Sequence, residues 1–307
     1  MKKNQKLNDF IKHTIDCESY GNVTKNEILK LLQSLYADIL KRIQSTPYIL
    51  SKKRYADILS EIEELLKEYK IKSYGIYESS FEDISDYQSN WLKDFMSELG
   101  KDVIIPATIL SSVKFSPVVN TTGYKSIVEK EVLNIKENVS SALKVAYLTK
   151  EDTEQVAQRL EKRMSKTEKD VSTDSKTINT AAFSTVNYLI YKANKQKVVY
   201  SSILDTNTCF DCGMNNGKVF EIKNAPILPI HYNCRCCYIP YEVVEDEETP
   251  GSYLDWIETL SDEEQYEILG KTRYQLYKAG IPISHFVDDD KLLPVKDLKD
   301  VLTGKLS

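Results

Sequence analysis

The stretch CFDCGMNNGKVFEIKNAPILPIHYNCRCC, residues 209–237, contains five of the six cysteines of the chain and one of its three histidines. Its first cysteines, Cys209 and Cys212, form a C-x-x-C pair. After 18 intervening residues, His231 and Cys234 form a second close pair. Three kinds of chemistry use such residues: a metal site, a redox centre and a nucleophile. The choice among them decides how this part of the chain folds.

The two pairs suit a tetrahedral zinc ion, because each close pair can supply two ligands from one side of the metal. Thiolate and imidazole donors exclude Mg²⁺ and Ca²⁺ as natural occupants. Cys236 lies two residues after Cys234, so both side chains point the same way in an extended segment, whereas Cys237 points away. We therefore expect one structural Zn²⁺ held by Cys209, Cys212, His231 and Cys234, with Cys236 as the alternative fourth ligand.

The other chemistries fit the pattern less well. A thioredoxin-type redox pair lies at a strand-to-helix turn in a βαβ unit, whereas Gly213 is followed by an Asn216-Gly217 hairpin signal. A cysteine-histidine nucleophile leaves the remaining cysteines unexplained. A zinc deaminase needs an H-x-E or C-x-E motif upstream of P-C-x-x-C, and neither occurs. Ordinary buried cysteines without a metal stay open as an alternative.

Composition limits the class of protein. The chain has 307 residues with 41% hydrophobic content, which predicts one to three domains with a substantial core. Its net charge of −5 gives no global basic field, so DNA contact would need a local patch. The first twelve residues are polar and basic with no apolar segment after them, and no apolar run reaches about 18 residues. Neither a secretory signal nor a membrane span is expected, and without export stable disulfides are not expected either.

The first part of the chain has helical periodicity. Apolar residues repeat at helical spacing in residues 25–44 and again in 52–70, with Pro47 between them, which predicts an antiparallel helical hairpin. A separate helix is expected over residues 80–99. Residues 103–124 combine prolines, a glycine and β-branched residues, which is typical of an irregular connector with at most short strands.

The helical pattern returns in the middle of the chain. A helix is predicted over residues 126–147. The next begins with Thr149 as N-cap and Asp152 three residues later, a pattern similar to a capping box. The polar segment 166–176 is predicted to be a loop, and a further helix is expected over residues 177–195.

The pattern changes at residue 197, where a run of β-branched residues predicts a strand over 197–204. The Asn-Gly turn signal predicts a hairpin within residues 215–222, and residues 236–244 can supply another strand. An acidic run, residues 244–252, is interpreted as a solvated linker. Two short helices should follow it, with Ser261 as an N-cap and Gly280 as the residue after the last helix. The predicted fold class is α+β: a mainly helical N-terminal region, then a small β-rich zinc-binding unit, then short C-terminal helices.

The cysteine-rich stretch also carries a family resemblance. The segments DTNTCFDC (205–212), NGKVF (216–220) and PIHYNCRC (229–236) resemble the C-terminal signature of phage head morphogenesis proteins, the Mu F-like minor head proteins of tailed phages. The helical stretch before them and the tail from Trp256 resemble the flanking parts of this family. The family commonly has proline where this chain has Tyr232. Some relatives lack the C-x-x-C pair, but this chain keeps its thiols, which favours a metal here.

The resemblance implies a virion component present in few copies, assembled in the host cytoplasm at the portal vertex of the phage head. Implied partners are the portal, coat and scaffold proteins and, non-specifically, packaged double-stranded DNA, with no membrane partner. No catalytic activity comes with the family. The corresponding domains are a helical N-terminal region (1–120), a Mu F-like head morphogenesis domain with the Cys/His cluster (121–245) and a short helical C-terminal tail (246–307).

Two other classes of function compete with a structural role in the phage head. One is a zinc-supported nucleic-acid enzyme similar to a nuclease, or a toxin-type effector. If His231 is a ligand, only His13 and His285 remain as histidine bases. The other is a zinc-ribbon binder of nucleic acid, which would use cationic and aromatic side chains near the cluster. Those residues are Lys192, Lys195, Lys197, Lys218, Lys223, Arg235, Tyr191, Tyr200 and Tyr232.

Overall fold

The computed structural model describes four ranges of the chain: residues 3–45, 52–244, 252–288 and 291–298. It is α+β and 73% helical, with a mainly helical N-terminal region and small antiparallel sheets, so this part of the fold prediction is confirmed. In the described residues, no helix combines the length and hydrophobicity needed to cross a membrane.

The chain divides into two compact units. The helical unit contains residues 12–194 and 227–234. The β unit contains the described residues of the ranges 1–11, 195–226 and 235–307. The predicted boundaries at residues 120 and 245 rest on a different criterion, sequence resemblance, and stay a prediction.

Most of the helical unit is α-helical. Its helices are α1 (Lys3–Gln44, of which residues 12–44 belong to this unit), α2 (Lys52–Glu98), α3 (Ile109–Phe115), α4 (Tyr124–Thr149) and α5 (Thr153–Ala193). The short strands β1 (Pro117–Val119) and β2 (Thr122–Gly123) form an antiparallel pair. The connector thus contains short strands, as predicted. The seven-residue helix α3 was not expected, because its four apolar residues are too few to establish a helical period.

Helices α1 and α2 pack antiparallel, as predicted. The His13 ring donates a hydrogen bond to Gln88 at 2.7 Å, and the hydroxyls of Thr24 and Ser80 lie 2.9 Å apart. His13 thus contacts a later residue of α2 than Thr24 does, so the two helices run in opposite directions. Pro47, which was expected to separate them, lies outside the described residues.

The prediction of separate helices over residues 52–70 and 80–99 is wrong, because α2 runs without a break from Lys52 to Glu98. The intervening segment contains Gly75, which disfavours a helix by about 1 kcal/mol relative to alanine. The same segment contains Tyr77, which is fully buried and donates or accepts a 2.7 Å hydrogen bond with Ser175. Burial of such a side chain outweighs the local cost of one glycine.

A Gly75→Ala variant should therefore be more stable than the parent. No atom lies within 4 Å of the position that its Cβ would take, so the gain is about 0.5–1 kcal/mol in the free energy of unfolding of the helical unit. Gly100 is the matched control, since it also has open space but a φ of +76°. Gly100→Ala should lower stability by about 1–2 kcal/mol. Chemical denaturation of both variants measures the difference, and a Gly75→Ala variant less stable than the parent would contradict a continuous α2.

The loop predicted over residues 166–176 is also wrong, since α5 continues through it. Its polar side chains face the core at helical spacing and find partners there. Thr167 accepts a hydrogen bond from Tyr36 at 3.4 Å, and Ser175 is bonded to Tyr77. Hydrogen bonding lets hydroxyl side chains be buried at low cost, so a polar sequence can still form the inner face of a helix.

The start of α5 lies three residues later than predicted. Asp152, not Thr149, is the N-cap, and its side chain accepts from the Gln155 backbone N–H while the Gln155 side chain accepts from the Asp152 backbone N–H. Thr149 instead ends α4, and its hydroxyl donates to the Val145 carbonyl oxygen at 2.9 Å. A capping box is present, but with aspartate and glutamine in the two positions.

The β unit is built on a three-stranded antiparallel sheet. Its strands are β3 (Lys197–Ser201), β4 (Val219–Glu221) and β5 (Cys237–Pro240), in the order β4-β3-β5. Val198 is paired with Phe220, and Val199 with Ile239. The predicted strands are thus present but shorter than expected. The strand β3 ends at Ser201 instead of residue 204, and β5 ends at Pro240, where a short helix, α7 (Tyr241–Val244), follows.

The rest of the β unit has its own small core. The helix α6 (Phe210–Asn215) separates β3 from β4, and α8 (Tyr253–Glu258) and α9 (Asp262–Lys278) follow the sheet. Buried side chains from this part form one cluster: Tyr253, Ile257, Leu269, Ile283, Phe286 and Leu298. Ser261 is the N-cap of α9, and Gly280 has a φ of +95°, as their sequence pattern predicted. Most of the acidic run 244–252 lies outside the described residues.

Candidate metal centre

The C-x-x-C pair forms a tight turn at the start of α6. Cys209 is the N-cap residue, and its sulfur accepts a hydrogen bond from the Cys212 backbone N–H at 3.4 Å. The Gly213 N–H donates to the Cys209 carbonyl oxygen at 3.0 Å. Backbone N–H groups that point at a sulfur favour its thiolate form, which is the form that binds a metal.

Gly213 ends this turn against an aromatic ring. A Cβ added at Gly213 would lie 2.5 Å from ring atoms of Tyr253, a distance that real side chains do not tolerate. The Tyr253 hydroxyl donates to the Thr208 carbonyl oxygen at 3.3 Å, on the other side of the turn. The turn can pack this closely only because glycine has no side chain.

The H-x-x-C segment forms a second turn. The Cys234 N–H donates to the His231 carbonyl oxygen at 3.2 Å, and Asn233 between them has a φ of +59°. The Asn233 N–H donates to the Thr177 hydroxyl at 3.1 Å, which holds the turn on α5. Asparagine tolerates the left-handed conformation better than most residues, which explains its presence in this signature.

The orientation of the His231 ring leaves one nitrogen for a metal. Its Nδ1 atom lies 2.7 Å from the backbone oxygen of Tyr232. Since a carbonyl oxygen can only accept, Nδ1 carries the proton and Nε2 has the lone pair. A metal-binding histidine is held in this way by a hydrogen bond from its second nitrogen.

Polar side chains from and just after β3 surround two of the cysteines. The Tyr200 hydroxyl donates to the Cys212 sulfur at 3.6 Å. The Ser202 hydroxyl donates to the Cys212 carbonyl oxygen at 2.6 Å and lies 3.5 Å from the Cys236 sulfur. These contacts orient the thiols from the sheet side, as supporting residues do around metal ligands.

The five expected ligand residues fall into two overlapping groups. Cys209, Cys212 and His231 form one group, in which the candidate ligand atoms lie within 4.8 Å of one another. The second group, within the same distance limit, consists of Cys212, Cys234 and Cys236. Cys212 therefore belongs to both, and Cys237 to neither.

This donor set fits a structural zinc ion. Zinc–sulfur bonds of about 2.3 Å place tetrahedral sulfur ligands about 3.8 Å apart, which is compatible with the separations in both groups. Cys212, Cys234 and Cys236 are buried, and the six cysteines form no disulfide. The two groups together offer five donors, four thiols and one imidazole, for the four positions of a zinc ion. Such a surplus of protein ligands is typical of a structural centre, because a catalytic zinc keeps one position open for water.

One feature of the structure favours a redox pair of cysteines, and another argues against it. The C-x-x-C pair lies at the start of α6, a helix that follows the strand β3, and Gly213 lies inside this helix rather than directly before a hairpin. However, the sheet is antiparallel throughout β3, β4 and β5, so the βαβ setting of a thioredoxin-type pair is missing from the described residues. The metal interpretation remains the better one.

Asp205 and Arg235 belong to the site's framework, a role that was not predicted for them. The Arg235 guanidinium donates two hydrogen bonds to the Asp205 carboxylate, at 2.6 and 2.7 Å. The bonded guanidinium holds the pKa of Asp205 below its ordinary value. The same carboxylate accepts from the Asn207 N–H at 2.9 Å. The pair therefore connects the loop before Cys209 to the residue just after Cys234, and only the occurrence of both residues in the family signature could have suggested it.

This pairing also changes the expected basic patch. The charge of Arg235 is matched by Asp205, and Lys197 lies 3.8 Å from the carboxylate of Glu221. Two of the six cationic residues near the cluster thus have acidic partners. The remaining patch is weaker than the sequence suggested.

The comparison with known families agrees with the resemblance noted in the sequence. A family model described as Phage Mu protein F like protein matches residues 137–239, a range that includes all five candidate ligands. Among curated proteins and among solved structures, none matches the chain significantly. Residues 137–239 of the chain are therefore similar to the phage Mu protein F-like family.

Proposed function

We propose that this chain is a minor head protein of a tailed phage that acts in procapsid assembly, or in DNA packaging or ejection, at the portal vertex. The observation that carries the proposal is the family match over residues 137–239, within which the cysteine and histidine residues converge. The chain would be a structural component of the virion, and its partners would be the portal, coat or scaffold proteins. The Mu F-like domain would extend over residues 121–245, between a helical region and a short tail.

The zinc ion would have a structural role in this protein. Its ligands would be Cys209, Cys212 and His231, with Cys234 or Cys236 in the fourth position. The β unit supports this proposal, because its sheet has short strands and its buried cluster is small. Small units of this kind commonly need a metal or another cross-link for stability.

A structural role fits the site better than catalysis does. His13, one of the two other histidines, is buried between α1 and α2, where its ring is stacked on Trp91 with 3.5 Å between centroids. Burial lowers the pKa of His13 below its ordinary value. A histidine held in this way is part of the packing of a helical core. A nuclease-like enzyme or a toxin-type effector, the alternative function, would need an open site with an acid or base at hand.

Incorporation into phage heads tests the proposed function. A tagged copy of the chain would be expressed during infection by the phage that encodes it, and procapsids and mature heads would be purified and analysed by quantitative mass spectrometry. We expect a few copies in each head. A chain that stays in the lysate and never enters procapsids or mature heads would contradict the proposal.

DNA binding, if the protein uses it in the head, should be weak and independent of sequence. The cationic side chains near the metal centre can contact phosphate groups but show no arrangement that reads bases. Binding of a labelled 30-base-pair duplex should therefore weaken steeply between 50 and 200 mM salt and be equal for unrelated sequences. Affinity that stays constant over this range, or that depends on base sequence, would contradict this prediction.

A further inference from the structure

The part of α1 that belongs to the helical unit has two halves with different contacts. The second half, residues 28–44, buries apolar side chains at helical spacing. They are Ile28, Leu32, Leu35, Tyr36, Ile39 and Ile43, and none is more than 5% exposed. Such a stripe is the usual way in which a helix packs against its neighbours. The second half is therefore held in place mainly by the burial of apolar surface.

The first half, residues 12–27, has the reverse pattern. No apolar side chain in this range is buried, and the buried residues are His13, Gly21 and Thr24. The apolar residues Ile15 and Val23 are instead 54% and 59% exposed. In most helices the polar residues are exposed, and isoleucine and valine are buried. The hydrophobic effect therefore contributes little to the docking of this half.

A chain of side-chain hydrogen bonds joins the first half to α2 and α5. The Thr24 hydroxyl lies 2.9 Å from that of Ser80 in α2, and the Ser80 hydroxyl donates to the Asn179 side-chain oxygen at 3.0 Å. The Asn179 amide nitrogen donates to the Gly21 carbonyl oxygen at 3.4 Å. A Cβ added at Gly21 would lie 3.3 Å from the Asn179 Cβ, so α1 approaches α5 closely at this point. Polar contacts thus take the place of an apolar stripe.

A second chain of hydrogen bonds lies nearer the start of α1. The His13 ring donates to the Gln88 side-chain oxygen of α2 at 2.7 Å. The Gln88 amide nitrogen in turn donates to the Asn187 side-chain oxygen of α5 at 2.7 Å. The same three helices are thus joined by polar groups at two levels, and each of these groups is paired.

Aromatic rings add contacts that are only partly removed from water. His13 is stacked on Trp91 with 3.5 Å between ring centroids, and the Tyr20 ring lies 5.9 Å from that of Tyr87 and 6.0 Å from that of Phe183. Tyr20 and Trp91 are half-buried, and Tyr87 is 39% exposed. These rings support the docked position but leave part of their surface in water, unlike the buried side chains of the second half.

The two kinds of contact differ in what is lost when they open. A side-chain hydrogen bond is exchanged for bonds to water, so its net contribution to stability is small. Exposed apolar surface has no such replacement. The local free energy of opening varies along a protein for this reason. A shift of the first half by one turn would leave His13, Gln88 and Asn179 buried without their partners, which buried polar groups rarely are. The first half is therefore weakly held but fixed in one register.

We propose that residues 12–27 form an arm that opens from α2 and α5 as one unit while the second half of α1 stays docked. The open arm exposes the polar side chains of α2 and α5 that it covers, Ser80, Gln88, Asn179 and Asn187. Their hydrogen bonds return the arm to the same position when it closes. The arm uses no residue of the candidate metal centre, and the inference holds whether or not the proposed function is correct.

Hydrogen exchange of the full chain at single-residue resolution tests the arm. The backbone N–H groups of the arm should share one opening equilibrium and have protection factors about tenfold lower than those of the second half, or lower still. Equal protection of the two halves would overturn the proposal, since α1 would then open as a whole. A gradual loss of protection toward residue 12, without a shared opening equilibrium, would also overturn it, because that pattern is the fraying of a helix end.

Two variants on α5 separate the halves. Asn179→Ala removes the hydrogen bonds to Ser80 and Gly21, so exchange in the arm should become about threefold faster or more while the second half is unchanged. Thr167→Val is the matched control, because Thr167 also lies on α5 but accepts its hydrogen bond from Tyr36 in the second half. It should leave exchange in the arm unchanged. An Asn179→Ala variant that speeds exchange equally in both halves, or in neither, would overturn the proposal.

Discussion

Replacing Cys212 with serine should release the zinc ion and loosen residues 200–240, while the helices α1 to α5 stay largely folded. Cys212 belongs to both groups of candidate ligands and is 3% exposed, so its replacement removes a ligand from each group. Structural zinc contributes about 10–16 kcal/mol of apparent binding free energy in small zinc-binding peptides, which exceeds the stability of most domains. Loss of the metal should therefore cost the β unit most of its stability.

Hydrogen exchange and circular dichroism measure this outcome separately. Backbone N–H groups of β3 and β4 should exchange at rates close to those of an unfolded chain, whereas the helical signal at 222 nm should fall only slightly. The Cys237→Ser variant is the matched control, because Cys237 is adjacent to the ligand segment but lies in neither group. It should keep the zinc ion and the exchange protection of the parent. Equal protection in Cys212→Ser and in Cys237→Ser would contradict a role of the metal in holding this unit together.

The second large effect should come from Gly213→Ala. The added methyl group would lie 2.5 Å from the Tyr253 ring, so either the ring or the cysteine turn has to move. Overpacking of this kind costs about 1–3 kcal/mol. Because Gly213 directly follows Cys212, we expect a lower melting temperature of the β unit together with a weaker hold on zinc.

A double variant separates this steric effect from a loss of backbone freedom. Replacing Tyr253 with leucine removes the ring that the new methyl group would meet. If the clash is the cause, Gly213→Ala should cost much less in the Tyr253→Leu background than in the parent. A cost that is the same in both backgrounds would show that the ring contact is not what requires glycine. Zinc release to a chromogenic chelator and thermal unfolding are the measurements.

The helices of this protein could be predicted from the sequence where their apolar residues repeat at regular spacing. The antiparallel pairing of α1 and α2 and the extent of α4 follow from that pattern alone. The pattern failed where buried residues are polar. Thr167 and Ser175 occupy inner positions of α5, and their partners on α1 and α2 are distant in sequence. Local sequence has no information about such partners, so residues 166–176 resemble a loop.

In the candidate site, too, some residues could be predicted from the sequence and others could not. The ligand residues could be found because thiol and imidazole groups are rare and their spacing is restrictive. The framework residues could not be found in this way. The bond between Asp205 and Arg235 joins residues 30 positions apart, and the contact between Gly213 and Tyr253 joins residues still further apart. Each of these residues is common on protein surfaces and in turns, so its role depends on the folded structure.

Zinc content is the most direct test of a structural metal in the cysteine-rich segment, residues 209–237. The full chain would be purified without chelator, shown to be folded by circular dichroism, and analysed by inductively coupled plasma mass spectrometry. We expect one equivalent of zinc for each chain in the parent protein and in Cys237→Ser, and far less in Cys212→Ser. Zinc well below one equivalent in the folded parent protein would contradict it and leave the cluster as ordinary buried thiols.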